Sequence, residues 1–385
     1  MDIKAFQNSP NGQLVHTSSD YWAYVPNPLP PDIQWTSGVV AALSEADRAL
    51  GELAGLGRSL PNPHLLIQPF LHREAVLSSR IEGTRATLSD LYAYKVAQLR
   101  LFELPSDVHE VHNYVQALEY GLDRLRTLPL SLRLIREIHA RLMEGVRGEL
   151  QTPGEFRRSQ SWIGSPGCTL NDADYVPPPV DEMHKTLHAL EGFLYAPSEL
   201  PPLIRLAMIH YQFEAIHPFL DGNGRIGRLL MTLLLCDWNL LPEPLLYLSA
   251  YFEAHRQDYY NLLLAVSQNG MWQEWLSFFL LGVSAQSQDA VVRAQRLQTL
   301  RKDYRARFQT ARAAARLLQV VDLLFSRPVF TVPELSDALQ VNYPTAMRYV
   351  NRLIEAEVLR EITGQVRNRV YQADGILQVL EESFS

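Results

Sequence analysis

The segment His217-Pro-Phe-Leu-Asp-Gly-Asn-Gly-Arg-Ile-Gly-Arg228 constrains this chain more than any other stretch. It lies between two strongly apolar patterns, "LPPLIRLAMIHYQFEAI" and "LLMTLLLCDWNLL", so it reads as a loop that opens onto a helix N-terminus. Gly222, Asn223 and Gly224 tolerate positive φ, which turns successive backbone N–H groups to one side and forms an anion nest. The positive end of the helix acts at the same place. Arg225 and Arg228 on the first turn add charge to that mouth. Asp221 is an odd neighbour for phosphates unless a Mg²⁺ lies between, held by a carboxylate and phosphate oxygens. His217 stands one loop away as a base of suitable pKa.

The rest of the chain offers helices to surround this loop. At 385 residues, 47% apolar and 20% charged, it has the length and composition of a globular protein of two or three domains. Helical periods recur in "VVAALSEADRALGELAGL", from His64 to Glu82, and in "TLSDLYAYKVAQLRLF", "DVHEVHNYVQALEYGLDRLR", "SLRLIREIHARLMEGV" and "VDEMHKTLHALEGFLY". Phe156–Pro179 has no helical period and is dense in Gly, Pro, Asn and Asp, a long loop with room for a hairpin. A helical pattern beginning near Met271 is too long for one globular helix and predicts a bridge between domains. Beyond it, helix, turn "QVNYP", helix, and two β-like runs around Gly364 follow the order of a winged helix-turn-helix.

The His217–Arg228 segment resembles the Fic family, whose signature H-x-F-x-[D/E]-G-N-G-R-x-x-R it meets at every position. The resemblance covers roughly residues 30–285. It implies a mainly α fold: a Fic-type helical core with a β-hairpin flap, here followed by the winged helix-turn-helix. The expected organisation is an N-terminal helical region with an inhibitory helix (1–105), a catalytic core (106–285), a linker helix (286–315) and the C-terminal module (316–385). The implied activity is transfer of AMP from ATP to a Tyr, Ser or Thr hydroxyl of a protein target or of the chain itself, with release of pyrophosphate. His217 would take the hydroxyl proton, Asp221 would hold Mg²⁺, and Gly222, Asn223, Gly224, Arg225 and Arg228 would bind ATP phosphates. "EGVRGELQTPGEFRRSQSWIG" and "ADYVPPP" look like the flap that clamps the target, with Ser161, Trp162, Ile163 and Gly164 at its edge. Asn261 in "YYNLL" is expected against the adenosine, with Tyr251 and Tyr259 near it. Phe219 is expected to anchor the loop in the core.

Many members of that family carry an inhibitory helix with the motif [S/T]-x-x-x-E-[G/N], and Ser78, Glu82 and Gly83 fill it in "LSSRIEGT". On its own helix Glu82 is misplaced, because a carboxylate in the last turn is repelled by the dipole by about 0.3–1 kcal/mol. The resemblance gives it a partner: it would pair with Arg228, occupy the γ-phosphate position and hold ATP in an unreactive pose.

Other signals are weaker. "HEVH" at His109–His112 lacks the second histidine of a zinc-protease motif, since Asn113 stands there, and His184 with His188 has no further ligand. Two cysteines, Cys168 and Cys236, make no disulfide framework. No stretch reads as a signal peptide or a membrane span, so a cytoplasmic protein without membrane contact is expected. The net charge is −7, yet residues 291–385 hold 14 Lys and Arg against 10 Asp and Glu. Tyr343, Thr345, Arg348, Arg352, Arg367 and Arg369 there are candidate DNA contacts. Alternative functions are a DNA-binding regulator with a nucleotide-sensing core, or removal of AMP at the same site. Monomer and homodimer remain equally open on sequence.

Overall fold

The computed structural model describes residues 1–59, 64–97, 106–145, 152–165, 167–309, 314–364 and 369–382. A short helix α1 (Ile3–Phe6) leads into an antiparallel pair, β1 (Gly12–His16) and β2 (Trp22–Pro26), in which Leu14 faces Tyr24. No element is expected here from the sequence; Ala23, Tyr24 and Val25 are all buried, so the strand carries no apolar–polar alternation. The pair matters for the site: Tyr24 N–H donates to Val176 O at 2.9 Å and ties the returning arm of the long loop to β2.

Helices α2 (Ser37–Ser59) and α3 (His64–Ile81) follow their periodicity. Gly83 adopts φ +101° just past α3, the positive φ of a helix-terminating glycine. Next come α4 (Leu88–Ala97), α5 (Ser106–Arg124) and α6 (Leu132–Leu142), which begins where Ser131 Oγ accepts from Leu134 N–H. After the long loop follow α7 (Val180–Tyr195), α8 (Pro202–Ile216) and α9 (Asn223–Asp237). Both α8 and α9 are apolar on all sides and therefore need neighbours on all sides. They have them: α9 packs on α3, α5, α6 and α8. Leu229 and Leu233 are completely buried there, and each such side chain contributes about 1.5–3 kcal/mol. The loop from His217 to Gly222 is thus held at both ends by helices packed into the core.

Helices α10 (Ser249–Ala254) and α11 (Arg256–Asn269) precede α12 (Trp272–Ala306). The long helix is not a solvated bridge, since α12 lies along α2 and buries Ala290, Val291, Ala294 and Leu297. The chain continues as α13 (Ala314–Ser326), β3 (Val329–Thr331), α14 (Val332–Leu339), α15 (Tyr343–Glu355), β4 (Arg360–Glu361), β5 (Val370–Gln372) and α16 (Asp374–Glu381). The three short strands form an antiparallel sheet in the order β3-β5-β4. Arg367 lies outside the described residues.

Sequence reading did not foresee α16, which returns to pack on α3 and α4 while α13 packs on α3. Polar contacts join the same surfaces. Arg73 of α3 meets Asp289 at 3.5 Å, and Asp289 holds Arg293, whose guanidinium also donates to Leu380 O and Glu382 O. Helix α3, which ends just before Glu82, is therefore packed by α5, α9 and α10 and by α13 and α16 of the C-terminal module. No helix among the described residues is long and apolar enough to cross a membrane.

Candidate active site

His217 terminates α8 in a left-handed conformation, φ 49° and ψ 62°. A non-glycine residue there is strained by about 1–3 kcal/mol, a cost met mainly at functional sites. Its Nδ1 lies 3.3 Å from Glu214 O, which assigns the proton to Nδ1 and leaves Nε2 as the free base. Burial first, and then the charge of Arg157, push its pKa down to about 4, so the imidazole is neutral at pH 7.

The rest of the loop is braced from inside. Phe219 is the expected anchor: it is buried and stacks on His139 with ring centroids 3.7 Å apart. Gly154 N–H donates to His139 Nδ1 at 2.9 Å, so Nε2–H is left to hold Asp221 O at 3.0 Å. The Asn223 amide accepts from Phe219 N at 2.8 Å and donates to Phe219 O at 2.9 Å, which fixes the side chain across the turn. Gly222 takes φ +80° at the N-cap of α9, and a Cβ added there would come within 3.0 Å of Met143 Sδ. The first-turn N–H groups of α9 have no partner within the helix and point to the mouth.

Arg225 is buried, pairs at 3.0 Å with Glu110, the acid inside "HEVH", and lies 3.4 Å from Asp221. Asp221 keeps a carboxylate that is 43% exposed, with Oδ1 accepting Gly222 N–H at 2.6 Å. One hard oxygen ligand at an anion site suits a Mg²⁺ carried in with phosphates. No group of three or more ligating side chains gathers among the described residues.

Arg228 is 1% exposed, and all its described bonds go to the end of α3 and the turn after it. Its Nη2 donates to Glu82 Oε1 at 2.7 Å and to Ser78 O at 2.9 Å, while Nε donates to Ser78 Oγ at 2.8 Å. The Glu82 carboxylate lies against Gly224: a Cβ built there would stand 2.3 Å from Oε1. Burial raises the Glu82 pKa, but Arg228 outweighs it and the net shift is downward. The sequence-level misfit resolves, because a charge disfavoured by its own helix end sits at the favourable N-terminus of α9.

Three further groups escaped sequence reading. Glu214 points an unpartnered buried Oε1 toward Gly227, and burial pushes its carboxyl up to about 8 against the pull of Arg228. Glu74 is buried with Ser249 Oγ and Tyr114 Oη, and burial raises it to about 7. Tyr260 sets its hydroxyl 3.5 Å from Ile81 O, over the end of α3. Its neighbour Asn261 is exposed and accepts from Gln257 Nε2 on its own helix. Tyr259 is buried against His210, whereas Tyr251 is half-buried and packs on Phe278.

The long loop crosses above this site. Ile163 N–H donates to Tyr175 O at 2.8 Å and Tyr175 N–H to Ile163 O at 3.1 Å, a single bridge where a hairpin was expected. Pro177, Pro178 and Pro179 on the returning arm carry no N–H to extend a ladder. Trp162 and Ile163 are 43% and 37% exposed, Ser161 is buried, and Gly164 backs onto Cys168 Sγ.

Comparison with known proteins agrees with this geometry. The pattern described as "Fic/DOC family N-terminal" matches residues 40–123, and "Fic/DOC family" matches residues 129–235. Proteins named "Protein adenylyltransferase Fic" are similar: that of Nematostella vectensis is 29% identical over 194 residues, 48% of this chain and 41% of its own. That of Drosophila willistoni is 31% identical over 159 residues, 40% of this chain and 30% of its own. The chain thus spans less than half the length of these relatives. Among solved structures, a Fic family protein from Desulfovibrio desulfuricans G20 aligns with TM-score 0.58 at 22% identity, covering 90% of this chain and 98% of that one. Fic-1 from C. elegans aligns with TM-score 0.51 at 20% identity, covering 67% and 74%. These structures share the fold.

Proposed function

We propose, from the premise that the chain belongs to the Fic/DOC family over residues 40–123 and 129–235, that it is a self-inhibited protein adenylyltransferase. It moves AMP from ATP to a Tyr, Ser or Thr hydroxyl of a protein or of itself. The observation that carries this reading is a neutral His217 at the mouth of a helix N-terminus whose arginine, Arg228, is already bound by an internal carboxylate.

In this scheme the target hydroxyl lies along the flap edge at Trp162–Gly164, and His217 Nε2 accepts its proton as the oxygen attacks the α-phosphorus. A P–O bond forms to the target, the bond to the β-phosphate breaks, and pyrophosphate leaves. Backbone N–H groups of Gly222–Gly224 bind phosphate oxygens, and positioning with charge stabilisation supplies most of the acceleration. Asp221 would hold the Mg²⁺ that accompanies ATP, whose chemistry is neutralisation of charge between the phosphates. Glu82 opposes all this by occupying Arg228, which the γ-phosphate otherwise needs.

The test is mass spectrometry of the Glu82→Gly chain and of a cell extract after incubation with ATP and Mg²⁺. An added AMP on a hydroxyl residue, lost when His217→Ala is introduced, supports the reading. Unmodified protein in both samples overturns it. If the wild type instead releases AMP from a modified substrate and Glu82→Gly does not, the site works in reverse, with Glu82 orienting water.

A second reading concerns the C-terminal module alone. On α15, Tyr343 is 54% exposed and Arg348 is exposed, which favours a duplex DNA contact. A salt-sensitive gel shift that Arg348→Ala weakens supports it, and no shift at low salt counts against it.

A further inference from the structure

Arg157 is among the largest completely buried side chains of the molecule, and the transfer scheme leaves it without a task. Among the described residues no carboxylate pairs with it; the groups that favour its charge are the phenols of Tyr21 and Tyr175. Burial pushes its pKa down to about 10, so it remains a cation at pH 7. An unpaired buried guanidinium costs several kcal/mol, and an apolar side chain of that size would fill the space more cheaply. Simple packing is therefore a poor account of it.

Its hydrogen bonds give a better one. Nε donates to His217 O at 2.9 Å, Nη2 to Pro178 O at 2.5 Å and Nη1 to Ser159 O at 3.3 Å. Its backbone N–H donates to Pro218 O at 2.9 Å. One residue thus joins the turn of the base, the outgoing arm of the flap and the returning arm. The left-handed turn at His217 directs its carbonyl out of α8 and toward this fork, where no other donor among the described residues is bonded to it. Tyr175 Oη, donating to Ala215 O at 2.8 Å, braces the returning arm to the same helix end.

We propose that Arg157 is a positioning residue for adenylyl transfer, locking His217 and the target-holding flap into one rigid unit so that base and hydroxyl meet in register. The proposal rests on the transfer reading above. Misplacement by about 1 Å can cost 10²-fold in rate. The charge also lies beside the imidazole it helps to keep neutral, though the geometry carries the inference without it.

The experiment uses the full chain in the Glu82→Gly background, with Arg157→Met and Arg157→Lys added separately. Incorporation of labelled AMP into the chain and into a cell extract is measured as ATP is varied, beside the Kd for ATP. In Arg157→Met the rate at saturating ATP should fall about 10²-fold, with KM and Kd for ATP changed by less than about threefold. Arg157→Lys should recover part of that rate, since it restores a cation and some of the donors. Should Arg157→Met not fold, the split between rate and KM in Arg157→Lys decides alone. Equal rates in folded variants and their Glu82→Gly parent overturn the positioning role, as does a loss confined to ATP binding. If Glu82→Gly itself incorporates no AMP, the transfer reading falls and this one falls with it.

Discussion

Glu82 and Arg228 meet at 2.7 Å on top of Gly224, so one carboxylate covers both the buried guanidinium and the N-terminus of the helix behind it. A charge-assisted bond of this kind is worth about 1.5–3 kcal/mol. Removing it with Glu82→Gly should raise AMP incorporation roughly ten- to hundredfold. Ser78→Ala deletes the bond to Arg228 Nε and the contact with the Tyr114 hydroxyl but leaves Glu82 in place, and should give a smaller gain, a fewfold at most. A larger gain from Ser78→Ala than from Glu82→Gly would show that the pair is not the restraint.

Gly224 separates release of the brake from function of the site. A methyl there would stand 2.3 Å from Glu82 Oε1 and 2.9 Å from Arg228 Nη1, so Glu82 must leave. The same methyl projects into the space where phosphates approach the α9 N–H groups. Gly224→Ala should therefore lose ATP binding by calorimetry and show no gain in transfer, unlike Glu82→Gly. Transfer rising in Gly224→Ala would mean that the nucleotide does not lie against this glycine.

Arg225 and Glu110 form a buried pair whose value is structural. Breaking such a pair from one side costs about 3–5 kcal/mol, because the remaining charge stays buried. Glu110→Ala should lower the midpoint of denaturant unfolding by that amount. The double variant Glu110→Leu with Arg225→Met should recover most of the loss. Additive losses in the double variant would contradict coupling between the two.

The contrast between Arg228 and Arg225 shows what was legible in the sequence. Glycines that need positive φ and a helix N-terminus leave a local spacing, so the anion loop could be read, and the Glu82 partner followed from a second motif. Where a buried side chain turns is decided by residues remote in the chain: Glu110 lies 115 positions from Arg225. The bonds of the Asn223 amide to the backbone of Phe219 were likewise invisible in the sequence. His139 and Arg157 bond backbone atoms of the loop, and such contacts follow no sequence spacing. The flap shrank to one bridge because its proline run removes donors, whereas α16 was missed because a single short amphipathic segment does not announce where it docks.

Two buried carboxyls set the response of stability to pH. Burial raises Glu74 from its ordinary 4.5 to about 7 and Glu214 from 4.5 to about 8. Raised folded-state values mean that the native chain binds protons the unfolded chain has released. Their contribution is fully present below about pH 4.5, and it is lost as pH rises through 7 for Glu74 and through 8 for Glu214. Burial lowers His139 and His217 to about 4 and His210 to about 3, which adds stability as pH rises toward 6.5, so the midpoint of thermal unfolding should fall only between about pH 6.5 and pH 9. Glu214→Gln cannot ionise, and its unpartnered Oε1 leaves no acceptor contact to lose there. That variant should flatten the decline up to about pH 8, whereas Glu74→Gln should flatten it only to about pH 7 and also weaken the bonds from Ser249 and Tyr114. Parallel curves for Glu214→Gln and wild type across this range would mean that the carboxyl ionises as freely folded as unfolded.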